Sequence, residues 1–180
     1  GHKVTCTYEQ ALGKADVVID CTPAGNENKE LYYLPAVSDD KKRTFIAQGS
    51  EKGFGLPYAH GINDKALLEL DSQFIQVVSC NTHNICSILK SLSPDFNTIV
   101  DSDFVCVRRA NDVSQNGSFI ASPEVNKHKD YNFGTHHAAD ASKVLSTLYH
   151  NLPIYSSAMK INSQYMHVIR FNLTVKGYED

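Results

Sequence analysis

The chain has 180 residues, 42% of them hydrophobic and 21% charged, with a formal net charge of −3 at pH 7. That length suits one domain or two small ones and is enough to bury a core, so a disordered chain is excluded. The charge gives no reason to expect a nucleic-acid partner. No apolar run approaches the roughly 20 residues of a membrane span, and no basic-then-apolar leader opens the chain.

The cysteines, Cys6, Cys21, Cys80, Cys86 and Cys106, are odd in number and contain no Cys-x-x-Cys pair. Neither a disulfide framework nor a zinc ribbon is indicated, and a reducing, cytoplasmic setting is the expectation. The sequons at Asn116 and Asn172 then read as chance matches.

The chain opens on strand-like residues. Asp16 to Cys21 is a short apolar strand running into the breaker-rich turn Thr22-Pro23-Ala24-Gly25. Lys42 to Gly49 repeats that pattern, and Phe74 to Ser79 gives it a third time. Near-continuous apolar strands, buried on both faces, predict a parallel sheet. Asn28 to Val37 and Asn63 to Leu70 can be helical, so residues 3–80 read as β-α-β-α-β, a doubly wound, Rossmann-like piece. The dinucleotide fingerprint G-x-G-x-x-G is missing, because Gly53-Phe54-Gly55 does not continue it.

The second half changes character. Val100 to Arg109 alternates as a strand, Ala138 to Tyr149 has helical spacing, and Gln164 to Lys176 alternates again around His167. An α+β layer is predicted, with a loop from Asn111 to Thr135 too long for a plain connection.

The chemistry centres on the stretch Gln76 to Cys86, QVVSCNTHNIC. Cys80 ends a predicted strand, and Asn81 or Thr82 can cap a helix through Ile85, Ile88, Leu89 and Leu92. A thiol at a helix N-terminus meets the positive end of the dipole, which favours a thiolate; equally, Cys80 can be a small buried residue. Cys86 reads as packing. His167, among apolar neighbours, is either a base or a satisfied core histidine. His136-His137, following Gly134-Thr135 at a helix start, suits an anion such as phosphate or is merely a polar helix start. A metal is not indicated, since adjacent histidines point apart and no ligand follows at zinc spacing. Arg108 and Arg109 end a strand and must point to opposite faces, so one of them can face a site.

In chain order these motifs resemble those of the archaeal-type phosphorylating glyceraldehyde-3-phosphate dehydrogenases. Asp16 to Gly25 is similar to that family's strand and turn before the coenzyme cleft. Gln48-Gly49-Ser50-Glu51-Lys52 resembles its Gln-Gly-Gly-Glu-Lys turn, and Val77 to Thr82 its nucleophile motif. Val107 to Ala110, Thr135-His136-His137 and Met166-His167 resemble its arginine pair, histidine pair and base-bearing strand. Departures are Ser50 in place of a glycine, His83-Asn84 in place of Thr-Gly, and Ala138-Ala139 in place of Gly-Pro.

The resemblance implies a fragment from the middle of the family's chain. Residues 1–80 would be the C-terminal part of an NAD(P)-binding domain, and 81–180 the N-terminal part of an α+β catalytic domain. It implies oxidation of glyceraldehyde 3-phosphate with NAD or NADP and inorganic phosphate through a cysteine thioester. The implied catalytic residues are Cys80 and His167. Ser79, Asn81, His136, His137 and Arg108 would bind substrate, while Ser50 and Arg109 would meet the coenzyme. A soluble homo-oligomer is the implied state, with no nucleic-acid or membrane partner. Two alternatives stand beside it: an inactive structural fragment, and a related aldehyde or semialdehyde dehydrogenase.

Overall fold

The computed structural model describes residues 3–37, 41–49, 51–110, 121 and 123–177. The chain forms two compact units. One comprises Gly1–His60 with Asp64–Ser79, and the other Cys80–Asp180 with the short segment Gly61–Asn63.

The first unit opens on a helix, α1 (Tyr8–Lys14), where strand-like residues were expected. Gln10 N–H donates to Thr7 Oγ1 (3.3 Å) and Thr7 N–H to Gln10 Oε1 (3.0 Å). This reciprocal pair satisfies donors that a helix start leaves open, and so tips the segment into a helix. Strands β1 (Val17–Asp20), β2 (Thr44–Gln48), β3 (Leu56–Tyr58) and β4 (Phe74–Val77) then form an all-parallel sheet in the order β1-β2-β4-β3. A helical connection follows β1, starting as α2 (Gly25–Asn28), widening through a π turn (Lys29–Tyr33) and tightening into a 3-10 turn (Leu34–Ala36) at Pro35. Helix α3 (Asp64–Glu69) precedes β4. The β-α-β-α-β pattern holds, with β3 as an addition. Its Pro57 cannot donate to a ladder and so suits a sheet edge. Gly55 leads into it because a Cβ there would lie 2.1 Å from the Phe74 carbonyl oxygen.

Leu12, Tyr33, Phe45, Ala47 and Phe54 make the core of this unit, with Val18, Ala36 and Phe74 packed against it. Tyr33 stacks on Phe45 at 5.0 Å and Phe45 on Phe74 at 4.9 Å, and Phe54 meets Tyr33 and Phe74 edge-on. The expected burial of both sheet faces fails at β1, where Val17 and Ile19 are 54% and 66% exposed. Helix α3 packs against β3, at the far edge of the sheet from β1.

The second unit runs α4 (Cys80–Leu92), β5 (Ile99–Arg109), β6 (Glu124–Val125), α5 (His136–Ser146), β7 (Ile154–Ile161) and β8 (Val168–Val175). Its sheet has the order β6-β7-β5-β8, with β7 parallel and β8 antiparallel to β5. This is the expected α+β layer, and β7 is a strand in a stretch for which no element was predicted. Helices α4 and α5 pack together, and α5 packs on β7. Ile85, Cys86 and Leu89 of α4, Ala138, Ala141, Val144 and Leu145 of α5, and Phe104 and Cys106 of β5 fill the core.

Gly134 sets the entry to α5. It has φ +69°, and a Cβ there would lie 2.3 Å from the Ser156 carbonyl oxygen, so only glycine lets the turn bridge to β7. The strand expected across Gln164 to Lys176 begins only at Val168. Ser163 Oγ donates to the Tyr165 carbonyl and accepts from Tyr165 N–H, and Met166 sits at φ +42°. This turn ends the extended run, so His167 is placed just ahead of β8. Gly61–Asn63 is tied to the second unit by Lys90 Nζ, which donates to the Gly61 carbonyl (2.6 Å), and by Asn63 Nδ2, which donates to Thr147 Oγ1 (2.9 Å).

Candidate active site

Cys80 is the first residue of α4 and is exposed. Asn81 and Thr82 therefore lie inside the first turn, and Ser79 is the residue just before the helix. The alternative of a buried thiol at Cys80 does not hold, whereas Cys86 is fully buried, and burial pushes its thiol up to about 12, partly opposed by a backbone hydrogen bond. Cys80, Asn84, Ser87 and Ser91 repeat at helical spacing and so form one row along α4. Asn84, Ser87 and Ser91 line a groove of about 410 Å³ whose other wall is His167, Ile169 and Phe171. The row headed by Cys80 thus faces the groove that His167 borders.

Asn81 points the other way. It is 2% exposed, and its side-chain Nδ2 lies 3.4 Å from His137 Nε2, joining the first turns of α4 and α5. His137 is 1% exposed, and its Nδ1 is 3.1 Å from Thr135 Oγ1, which is 2.6 Å from Ser156 Oγ. Ser156 Oγ also accepts from Ala138 N–H at 3.1 Å. The chain from Asn81 to Ser156 fixes both helix starts to β7. His137 is thereby a buried bracing group, while His136, exposed, stacks on it with ring centres 4.0 Å apart.

On β5, Ser102, Phe104 and Cys106 are buried, and alternation puts Arg108 on the same, helix-covered face; Arg109 takes the opposite face and is exposed. Burial pushes the Cys106 thiol up to about 11; the Arg108 charge opposes the rise and Cys80 adds to it. Arg108 and Cys80 thus sit within electrostatic reach of one buried thiol. Arg108 Nε is buried without a hydrogen-bond partner. Arg109 N–H donates to His167 Nδ1 at 3.1 Å. A neutral ring that accepts at Nδ1 carries its hydrogen on Nε2.

Ser50 and most of the loop foreseen from 111 to 135 lie outside the described residues. Among the described residues no group of three or more His, Cys, Asp or Glu is arranged to hold a metal ion, and no helix is long and apolar enough to cross a membrane. Sequence reasoning missed Lys160, which strand pairing sets beside Arg108, and the bracing role of Thr135 and Ser156. No linear motif carries either signal, because both arise from β7.

A four-stranded parallel sheet, followed by an α+β unit whose first helix starts on an exposed cysteine, defines a two-part α/β chain with a Rossmann-like sheet. Comparison with known proteins makes this specific. A glyceraldehyde-3-phosphate dehydrogenase of Methanosarcina acetivorans is 32% identical over 184 residues, which is 98% of this chain and 50% of that protein. That of Methanobacterium formicicum is 32% identical over 98% of this chain and 48% of its own length. The Methanothermus fervidus enzyme is 37% identical over 64% of this chain and 33% of its own. No family model matches the chain. The chain is a homologue of the archaeal-type glyceraldehyde-3-phosphate dehydrogenases, and it spans about half the length of the curated relatives it matches.

Proposed function

We propose that the chain is the central part of an NAD- or NADP-dependent, phosphorylating glyceraldehyde-3-phosphate dehydrogenase, with Cys80 as its nucleophile. The observation that carries this reading is the exposed Cys80 at the start of a 13-residue helix, heading the row that faces the groove beside His167. The positive end of the α4 dipole favours the oxyanion that forms when the sulfur attacks the aldehyde carbon. The C–S bond gives a hemithioacetal, its oxidation a thioester, and attack by inorganic phosphate releases the acyl phosphate and restores the thiolate.

In this reading His167 is the general base. With its Nδ1 held by Arg109 N–H, the ring first donates from Nε2 to the substrate oxygen. To take a proton it must then open the Arg109 contact or give up its Nε2 hydrogen. Arg108, His136 and Ser79 would meet the anionic part of the substrate, and His137 would hold Asn81 in the first turn of α4. A bound nicotinamide dinucleotide would supply the hydride acceptor. Gly49, at φ +70° with nothing within 4 Å of an added Cβ, leaves its turn open for close approach at the end of β2, and Ser50 and Arg109 are further candidates to hold the coenzyme.

The discriminating experiment follows Cys80 alkylation by iodoacetamide in the presence of aldehydes. Glyceraldehyde 3-phosphate is expected to protect Cys80 at lower concentration than unphosphorylated glyceraldehyde. Equal protection by both, or stronger protection by an uncharged aldehyde or a semialdehyde, moves the assignment to a related aldehyde dehydrogenase. That second reading has its own support in Ala138-Ala139 and His83-Asn84, which depart from the family's residues near the proposed pocket.

A further inference from the structure

We propose that Lys160 is an anion-binding residue, the second cation beside Arg108 for a phosphate-class dianion. Register carries the inference. Ser102, Phe104, Cys106 and Arg108 of β5 pair with Ile154, Ser156, Ala158 and Lys160 of β7. Paired residues share a sheet face, so Lys160 stands beside Arg108 on the face that bears α4 and α5. On the other side of β5, Val107 pairs with Val168, and His167 comes next along the chain with its ring bonded to Arg109 N–H. The strand ends thus bring His167, Arg108 and Lys160 together in adjacent positions.

Two like charges directly opposed on a sheet repel, and a protein normally offsets them with a carboxylate. Among the described residues neither Arg108 nor Lys160 forms an ion pair or a side-chain hydrogen bond. Glu124, the residue opposite Lys160 on β6, is exposed and makes no ion pair with it. Arg108 is half-buried, with Nε enclosed and unpartnered. The starts of α4 and α5 meet through Asn81 and His137, and α5 is held at Ser156 of β7, two same-face positions before Lys160. Two adjacent cations, with no ion pair among the described residues, thus stand on the sheet face that bears α4 and α5, and a dianion neutralises them.

This inference rests on the proposed reading of Arg108 as the substrate-anion residue, and its test separates the two. Cys80 alkylation in the 180-residue chain would be titrated with inorganic phosphate and, separately, with glycerol 3-phosphate, using chloride at matched ionic strength as the control. Wild-type protection by phosphate or its ester is expected, with Lys160→Gln needing about tenfold more anion for the same protection and Lys160→Arg close to wild type. A response to inorganic phosphate alone assigns the site to the attacking phosphate, and a response to the ester alone assigns it to the substrate. If Arg108→Gln weakens protection while Lys160→Gln leaves it unchanged, Lys160 has no part and the reading of Arg108 stands. If the wild type is not protected by either anion, the reading of Arg108 falls and this inference with it. Thermal midpoints of the three variants should match wild type to within a few degrees, since no bond in the folded chain is removed.

Discussion

Two arginines, one in each unit, show the difference between structure and function in this chain. Arg43 in the parallel-sheet unit and Arg108 in the α+β unit both bury Nε without a partner. Arg43 spends its terminal nitrogens on the molecule, donating to the carbonyls of Ala36 (2.5 Å) and Gly13 (3.1 Å). Arg108 donates to nothing among the described residues, and the lysine at its side adds to its charge. Asp20 repeats the lesson of Arg43: it accepts from Thr22, Asn28 and Tyr33 and is used up. Polar groups such as Asp20 in the first unit close on their neighbours, whereas Arg108 and Lys160 at the strand ends of the second make no side-chain hydrogen bond or ion pair among the described residues.

Several substitutions sharpen that contrast. The largest effect is expected for Phe45→Ala, which removes the middle ring of the aromatic stack and should destabilise the first unit by about 3–5 kcal/mol in urea titration. Asp20→Ala should cost about 2 kcal/mol through the donors it strands. Asp20 also gives a pH test. Burial would raise its carboxyl pKa, but the bonds from Asn28, Thr22 and Tyr33 outweigh it, and the pKa is lowered. A folded-state pKa below the unfolded one adds stability that is present above the unfolded pKa and lost as pH falls through the folded one. Acid unfolding of Asp20→Asn should accordingly be less steep in that window than wild type.

Ser156→Ala should cost about 1–2 kcal/mol by leaving Ala138 N–H and Thr135 Oγ1 without their partner. Smallest is Arg108→Gln, expected to change stability by less than about 0.5 kcal/mol, against about 1–2 kcal/mol for Arg43→Gln. A large loss at Arg108 would break the comparison.

The sequence revealed the parallel β-α-β-α-β run because its strands are short apolar stretches ending in breakers. It hid α1, although Thr7 and Gln10 stand at capping-box spacing, because Val4 to Thr7 reads as extended. It hid β3, whose Pro57 argues against a strand until Gly55 is seen passing the Phe74 carbonyl. It hid β7 as well, and with it Lys160, since Ile154 to Ile161 mixes serines with apolar residues and only pairing to β5 reveals which of them face the helices. The helix beginning at Cys80 was visible in the pattern of Ile85, Leu89 and Leu92. The depth of His137 was not, because burial is set by Thr135 and Ser156 closing over it.

The account turns on Cys80, and its rate of alkylation tests it most directly. Iodoacetamide labelling with peptide mapping at neutral pH should show Cys80 reacting faster than the exposed Cys6 and Cys21, with the buried Cys86 and Cys106 protected. Cys80 labelling no faster than Cys6 and Cys21 would contradict it.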